Sequence, residues 1–178
     1  EIYKISDYKN RIRNIKEFNL NQKNNNLPFR KGIALMPAKF GISFNKPSLN
    51  QGGALVHVYS DGSIRLNHGG TEMGQGLFIK VAQVVAECFK VSVDQIHITS
   101  TNTAEVPNTS ATAASSGSDL NGMAAWNASN VIKNRMVDHA AKLFKKNKKD
   151  IILNDGRIVC GNKSLSFSEL ASSCWENR

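Results

Sequence analysis

The hydrophobic positions of the chain follow a helical period in three segments, which predict its main helices. Apolar residues recur every three or four positions in residues 6–18, 77–89 and 119–144. Ser6 is the predicted N-cap of the first helix. In the second segment the polar residues form one narrow stripe, which indicates a helix buried over most of its surface: Lys80, Gln83 and Glu87.

Two Asp-Gly dipeptides predict hairpins, because Asp-Gly supplies the positive φ values of a tight turn. Asp61-Gly62 and Asp155-Gly156 join four predicted strands: residues 53–59 and 64–68, and residues 151–153 and 157–160. A strand is also predicted at residues 32–36 and around Ile96 and Ile98, with an extended piece at residues 40–44. Helices and strands in this order predict an α+β fold with a mixed sheet and packed helices.

The predicted domain boundary lies in residues 19–26, which are polar and rich in asparagine. Pro28 ends any helical continuation, so this segment is predicted to be a linker. It divides the chain into a helix with its linker, residues 1–27, and an α+β domain, residues 28–178. Near the C-terminal end, Ser168 is predicted to cap a short helix with Glu169 in its first turn. We expect the chain to be part of a longer protein.

Hydrophobic residues make up 40% of the 178 residues, as in globular proteins. No apolar run approaches the roughly 20 residues that span a bilayer, and the first residues do not resemble a signal peptide. We therefore expect no membrane span and a cytoplasmic location. Three widely separated cysteines without Cys-x-x-Cys spacing are expected to be reduced thiols: Cys88, Cys160 and Cys174.

The formal net charge of +9 would suit a nucleic-acid partner, and residues 145–149 form the densest basic run. This run follows a predicted helix, where lysines complement the C-terminal dipole. No aromatic residues that could stack on bases are interleaved with it. We therefore expect a solvated helix end and no nucleic-acid partner.

Residues 68–77 place four glycines between a predicted strand and a predicted helix. Glycine lets backbone amides approach a ligand, and the first turn of a helix offers unpaired N–H groups that suit phosphate. The segment is a candidate anion-binding loop, although the same glycines suit a tight chain reversal. Two known phosphate-binding motifs do not fit this segment. Gln75 and Gly76 stand where a Walker A loop has Lys and Ser/Thr, and Ile79 replaces the third glycine of a dinucleotide fingerprint.

Residues 107–117 form a second polar loop, rich in hydroxyls and small side chains, directly before the long predicted helix. Hydroxyls donate to phosphate or ring heteroatoms, and alanines leave room for a bulky group. Alone, such a segment is typical of a helix-capping loop. Together, the two loops suit a ligand with a phosphate and a heteroaromatic body, and we expect them to form two walls of one pocket.

Acid–base and metal chemistry have weaker signals. Glu72 is a candidate general base, but no paired carboxylate or histidine stands at a recognisable spacing. Gln75 is a candidate side-chain donor and acceptor in the same loop. The four histidines form no ligand motif, so no protein-ligated metal is predicted: His57, His68, His97 and His139.

Four segments, in their order and spacing, resemble the molybdenum-binding part of the molybdenum hydroxylase family: residues 40–44, 49–51, 68–77 and 106–115. The resemblance runs almost from end to end. Phe-Gly-Ile-Ser-Phe at residues 40–44 and Gly-Thr-Glu-Met-Gly-Gln-Gly at residues 70–76 resemble the xanthine dehydrogenase branch more than the aldehyde oxidase branch.

The resemblance implies a molybdopterin site with cofactor contacts from both loops: Gly74 and Gln75, then Thr112, Ala113, Ala114 and Ser115. It places Ala114 close to molybdenum, not as a side-chain ligand. It implies that Phe44 packs against a purine substrate, as aromatic rings do in offset or edge-to-face geometry. Asn45 matches a substrate-side position that is usually threonine.

The family reaction converts hypoxanthine or xanthine toward urate and passes electrons through iron–sulfur clusters to FAD and NAD. The family's catalytic glutamate lies outside residues 1–178, so the resemblance implies that Glu72 is not that base and that these residues alone are inactive. The implied partners are the remaining molybdenum-domain segments and the iron–sulfur and FAD domains or subunits, in an oligomeric enzyme. The alternatives are a noncatalytic module for another phosphorylated ligand and an aldehyde-oxidising relative.

Overall fold

The structure, a computed structural model, describes residues 1–105 and 109–178. Its backbone forms two compact units, residues 1–41 and 42–178. The domain boundary predicted at residues 27 and 28 stays a prediction. Residues 106–108 lie outside the described residues. They belong to the segments that carry the resemblance, and residues 107 and 108 also belong to the second polar loop.

The first unit contains two helices, α1 (Ile2–Ile5) and α2 (Tyr8–Asn24), which are separated at Asp7, where φ is 48°. The prediction of a linker from residue 19 is therefore wrong as far as Asn24. Hydrogen bonds explain why the helix continues. The backbone N–H and the side-chain amide of Asn25 both donate to the Asn21 carbonyl, at 3.1 and 2.9 Å.

The strand predicted at residues 32–36 does not form. Asn19, on α2, binds the backbone just before this segment. Its side chain donates to the Lys31 carbonyl at 2.9 Å and accepts from the Lys31 N–H at 2.8 Å. Residues 1–41, all of them described, contain no other strand with which residues 32–36 could pair, so the apolar pattern alone does not produce one.

The second unit contains a three-stranded mixed sheet, as predicted. Strands β1 (Ala54–Val58) and β2 (Ile64–His68) form the antiparallel hairpin around Asp61-Gly62. Strand β3 (Ile96–Ile98) pairs in parallel with β2. A parallel pair needs a crossover connection, and helix α3 (Leu77–Phe89) provides it at the predicted position.

Helix α4 (Gly117–Phe144) packs against α3 and against β1. The predicted polar stripe of α3 is confirmed, because Lys80, Gln83 and Glu87 are exposed while the rest of the helix is largely buried. Ile64, Leu66 and Val81 lie in the core between sheet and helices. Each such side chain contributes about 1.5–3 kcal/mol on burial, so this packing holds the loops that join the strands to the helices.

An antiparallel sheet follows, built from β4 (Ile152–Asn154), β5 (Arg157–Cys160) and β6 (Lys163–Ser166). The predicted hairpin at Asp155-Gly156 is confirmed. The third strand was not predicted, because Lys-Ser-Leu-Ser has a single apolar residue. After it comes helix α5 (Phe167–Glu176), whose Phe167 ring packs edge-on against Phe89 of α3 at 5.5 Å between centroids.

The prediction that Ser168 caps α5 is wrong, since the N-cap is Ser166. The Ser166 hydroxyl accepts from the Glu169 N–H at 3.2 Å, and the Glu169 carboxylate accepts from the Ser166 N–H at 2.7 Å. This reciprocal capping box starts the helix two residues earlier than expected. Glu169 lies in the first turn, as predicted.

The three cysteines are free thiols, in agreement with the sequence. Burial raises the pKa of the Cys88 and Cys174 thiols, which keeps both in the less reactive protonated form. In residues 1–105 and 109–178 no helix combines the length and the apolar character that crossing a membrane requires.

Candidate functional site

The glycine loop, residues 69–76, connects β2 to α3 and is organised around Glu72. Oε1 of Glu72 accepts from the N–H groups of Gly74 and Gly76 at 2.8 and 3.0 Å. Oε2 accepts from the Phe78 N–H at 3.0 Å. These backbone hydrogen bonds, led by the one from Phe78, hold the pKa of the Glu72 carboxyl below its usual value.

The predicted anion-binding loop therefore already holds an anion of its own. Gly76 is the N-cap of α3 and has no side chain with which to cap the helix. The Glu72 carboxylate takes that place, at the positive end of the helix dipole. An external phosphate would have to displace Glu72 to bind the N–H groups of Gly74, Gly76 and Phe78, so this carboxylate competes with the candidate role of the loop as an anion-binding site.

Gln75 spans the tip of the loop. Its Oε1 accepts from the Met73 N–H at 2.6 Å, and its Nε2 donates to the Thr71 carbonyl at 2.9 Å. Gly74 and Gly76 flank it with φ values of 94° and 73°, which residues with a side chain rarely adopt. The turn therefore requires glycine on both sides of Gln75.

The two polar loops meet at a hydrogen bond of 2.8 Å from the Thr71 N–H to Oγ1 of Thr112. A cavity of about 380 Å³ lies between them and is lined by residues of both loops: Met73, Gln75, Thr112, Ala113 and Ser115. The expectation that the two loops form walls of one pocket is confirmed.

Four further residues line this cavity. Leu77 and Gly117 are the last residues of the two segments predicted to form it, whereas Lys80 and Ser118 were not predicted from the sequence. They lie at the starts of α3 and α4. Lys80 follows Gly76 by one helical turn and adds a positive charge to the rim. The spacing of four residues between Gly76 and Lys80 could have predicted this position, because residues i and i+4 of a helix share a face.

The second loop carries two residues in a strained backbone conformation. Ala114 and Ser115 both have φ of 54°, a left-handed conformation that costs a residue with a side chain roughly 1–2 kcal/mol. The Ala114 carbonyl accepts from the Ser43 N–H at 2.9 Å. Such strain persists where surrounding structure enforces it, and it is concentrated at functional sites.

Phe44 and Asn45 are not among the residues that line the cavity. The Asn50 side chain holds the Phe44 backbone by two hydrogen bonds, from the Phe44 N–H at 2.8 Å and to its carbonyl at 3.0 Å. Phe44 is half-buried and Asn45 is exposed. The neighbouring Ser43 ties this segment to Ala114, so the structure brings Phe44 near the second loop through its backbone.

The buried side chain of His68 supports the glycine loop through a hydrogen bond. Nδ1 of His68 accepts from the Gly70 N–H at 3.1 Å, and the ring meets Phe78 edge-on at 5.2 Å. Nε2 has no partner in residues 1–105 and 109–178. Burial holds the pKa of His68 below its usual value, and the nearby Glu72 opposes this shift.

The composition of the cavity fits a phosphate-bearing heteroaromatic group. Hydroxyls of Thr112 and Ser115, the amide of Gln75 and the ammonium group of Lys80 are polar partners, while Met73 offers an apolar surface. The volume lies within the usual range for ligand pockets, about 300–1,000 Å³. No group of three His, Cys, Asp or Glu in the described part of the chain could hold a metal ion.

A larger cavity, about 530 Å³, lies between α4 and α5. Its lining includes Arg135, His139, Cys174 and Trp175, and none of the described residues of either polar loop. Size alone therefore does not identify the site. The smaller cavity is lined by four of the residues singled out by sequence: Gln75, Thr112, Ala113 and Ser115. Gly74 and Ala114 are not among its lining residues and adjoin it through their neighbours in the two loops.

The chain matches the molybdopterin cofactor-binding domain family over residues 1–178. It is 50% identical over 131 residues to xanthine dehydrogenase/oxidase of Rattus norvegicus, and 50% identical over 143 residues to xanthine dehydrogenase of Blastobotrys adeninivorans. These matches cover 74% and 80% of this chain but 10% of each relative. The chain thus spans about a tenth of the length of the curated relatives it matches.

Solved structures share the fold. CO dehydrogenase from Oligotropha carboxidovorans matches with a TM-score of 0.64 and 25% identity, over 69% of this chain and 16% of that one. Quinoline 2-oxidoreductase from Pseudomonas putida 86 matches with a TM-score of 0.61 and 23% identity, over 68% and 16%, and shows the fold alone.

These matches confirm the α+β fold class, the resemblance to xanthine dehydrogenases and the molybdopterin prediction. The match to the family covers the whole chain, and the two loops that meet at Thr71 and Thr112 both lie within it. The chain belongs to the molybdopterin cofactor-binding domain family.

Proposed function

We propose that these residues form part of the molybdopterin and purine site of a xanthine dehydrogenase that acts on hypoxanthine or xanthine. The observation that carries the proposal is the cavity between the two polar loops, which the Thr71–Thr112 hydrogen bond joins. Sequence identity of 50% to two xanthine dehydrogenases supports the choice of enzyme.

The proposed cofactor contacts come from both loops: Gly74, Gln75, Thr112, Ala113, Ala114 and Ser115. Gln75 and Thr112 offer hydrogen-bonding side chains, while the small residues of the second loop let the backbone come close to a bulky group. Bound molybdopterin supplies the molybdenum that carries out the redox chemistry, and the protein binds and orients it. Ala114 is proposed to lie close to the metal, where its methyl group leaves room and provides no ligand atom.

The proposed substrate contacts are Phe44 and Asn45. An aromatic ring offers a purine an offset or edge-to-face surface. The two hydrogen bonds with the Asn50 side chain fix the Phe44 backbone, which limits the directions that the ring can take. Asn45 is exposed and carries both a donor and an acceptor.

The remaining steps are proposed to take place outside these residues. Electrons would pass to iron–sulfur clusters, FAD and NAD in other domains or subunits, and a glutamate outside residues 1–178 would act as the base. We also propose a cytoplasmic, oligomeric enzyme. The Glu72 carboxylate is unsuited to the role of base, because both its oxygens accept backbone N–H groups that lower its basicity.

Mass spectrometry of the small molecule released from the longer protein tests the cofactor. We expect a mass that corresponds to molybdopterin or to a nucleotide form of it. A nucleotide without a pterin would contradict the proposal and favour a module that binds another phosphorylated ligand.

An assay of the 178-residue chain alone tests whether catalysis requires residues outside it. With hypoxanthine and an artificial electron acceptor we expect no turnover above a cofactor-only control. The longer protein is expected to oxidise hypoxanthine in preference to an aldehyde. The opposite preference would identify an aldehyde-oxidising relative.

A further inference from the structure

The Glu72 carboxylate accepts three backbone hydrogen bonds, from the glycine loop and from the start of α3. Its two oxygens bind N–H groups on both sides of Gln75, from Gly74 and Gly76, and one in the first turn of α3, from Phe78. Hydrogen bonds to a charged carboxylate are roughly twice as strong as neutral ones. The carboxylate thus fixes the loop to the helix that follows it.

The hydrogen bonds continue from Glu72 to the second loop. With Gly74 and Gly76 fixed, the Gln75 side chain reaches back to the Thr71 carbonyl at 2.9 Å. The N–H of the same residue, Thr71, donates to Thr112 at 2.8 Å. A connected set of contacts therefore runs from the start of α3 to the opposite wall of the cavity.

We propose that Glu72 is a positioning residue, whose carboxylate occupies the α3 N-terminus as an internal anion and holds Gln75 in the conformation that receives the cofactor. This inference rests on the proposed function of the cavity. It also assigns the phosphate of the cofactor to partners other than the Gly76 and Phe78 amides, which the carboxylate occupies.

Amide hydrogen exchange of the whole protein tests the first half of the proposal. Glu72→Gln removes the charge and replaces one acceptor oxygen by a donor, so exchange at Gly74, Gly76 and Phe78 is expected to accelerate about tenfold or more. Glu87→Gln is the matched control, since Glu87 lies exposed near the C-terminal end of α3 and forms an ion pair with Lys90. In Glu87→Gln, amide exchange at Gly74, Gly76 and Phe78 is expected to equal that in the wild type.

Molybdenum content and melting temperature, measured on the same proteins, test the second half. We expect Glu72→Gln to lose cofactor by at least about fivefold relative to Glu87→Gln, with a small fall in melting temperature from the lost cap and unchanged exchange in the rest of α3. A residue that merely supports the fold would accelerate exchange throughout α3. That result, or unchanged exchange at the three amides, would overturn the proposal.

The two measurements separate this inference from the proposed function. If the wild-type protein binds no molybdopterin, the proposed function fails, whatever the exchange rates show. If the wild type binds it and Glu72→Gln binds it equally well, the positioning role fails while the proposed function stands.

Discussion

The Thr71 N–H donates to the Thr112 hydroxyl at 2.8 Å, and this bond joins two loops that lie 41 residues apart in the sequence. Each loop alone is a polar connection before a helix. The cavity lies between the two loops and is lined by Gln75 of the first and by Ser115, which has a positive φ, of the second. The site is thus a product of the contact between the loops.

Removing the Thr112 hydroxyl is expected to loosen this contact. Thr112→Val keeps the shape of the side chain but leaves the Thr71 N–H without its acceptor, which is expected to cost about 1 kcal/mol of unfolding free energy. Urea denaturation measures this loss, and cofactor content is expected to fall with it. Thr103→Val, on an exposed turn, is the control and should change neither quantity.

Lys80 is expected to contribute to the binding of an anionic cofactor through its charge at the cavity rim. Lys80→Gln should weaken cofactor binding about tenfold, and the difference from the wild type should shrink as salt is added. Lys146→Gln, exposed just beyond α4, serves as the control. Equal cofactor affinity of the two variants at low salt would show that Lys80 does not contact the ligand.

The stability of the chain is expected to fall as the pH drops below neutrality, because His68 is buried as a neutral ring. Its pKa is lowered in the folded state, so the unfolded state binds a proton first, below about pH 6.5. The free energy of unfolding therefore decreases from there until the pH reaches the lowered folded pKa. Uptake of one proton changes the free energy of unfolding by at most about 1.4 kcal/mol per pH unit.

His68→Asn tests this assignment, since Asn offers an acceptor for the Gly70 N–H but does not titrate. The slope between pH 7 and 5 should flatten in this variant, and His57→Asn, exposed on β1, should keep it. An unchanged slope in His68→Asn would assign the pH dependence to other groups. The carboxyls of Glu72 and Glu169, whose pKa values are also lowered, lose their contribution at more acidic pH.

The N-cap of α5 distinguishes two serines that are alike in sequence. Ser166→Ala removes the capping hydroxyl and is expected to cost about 1 kcal/mol of unfolding free energy. Ser168→Ala leaves the reciprocal bonds between Ser166 and Glu169 intact and should change stability by less than about 0.5 kcal/mol. Thermal or urea unfolding of both variants tests which serine caps α5. A larger loss of unfolding free energy for Ser168→Ala would contradict the assignment.

Elements with a strong local signal were predicted well. The turn at Asp61-Gly62 depends on the φ values of those residues, and α3 depends on a continuous apolar face interrupted by one polar stripe. The strand predicted at residues 32–36 was wrong for a related reason. A strand needs a partner, and an apolar pattern carries no information about whether one is present.

The chemistry of individual site residues was harder to predict than their location. Glu72 looked like a weak candidate base, and the structure shows a carboxylate bound to three amides instead. Asn50 lay in a segment that carried the resemblance, but its two bonds to the Phe44 backbone follow from folding of residues 44–50 into a turn. Hydrogen-bond partners depend on atomic positions that residue types alone do not determine.

The sequence by itself determined the local elements, the turns that require glycine and the membership of the molybdenum-cofactor family, because each rests on residue types at short or fixed spacings. Only the tertiary structure decided that Thr71 meets Thr112, that Glu72 caps α3 from within its own loop and that Lys80 faces the cavity. These contacts arise when α3 and α4 pack against one sheet, since burial of the shared core brings the preceding loops together.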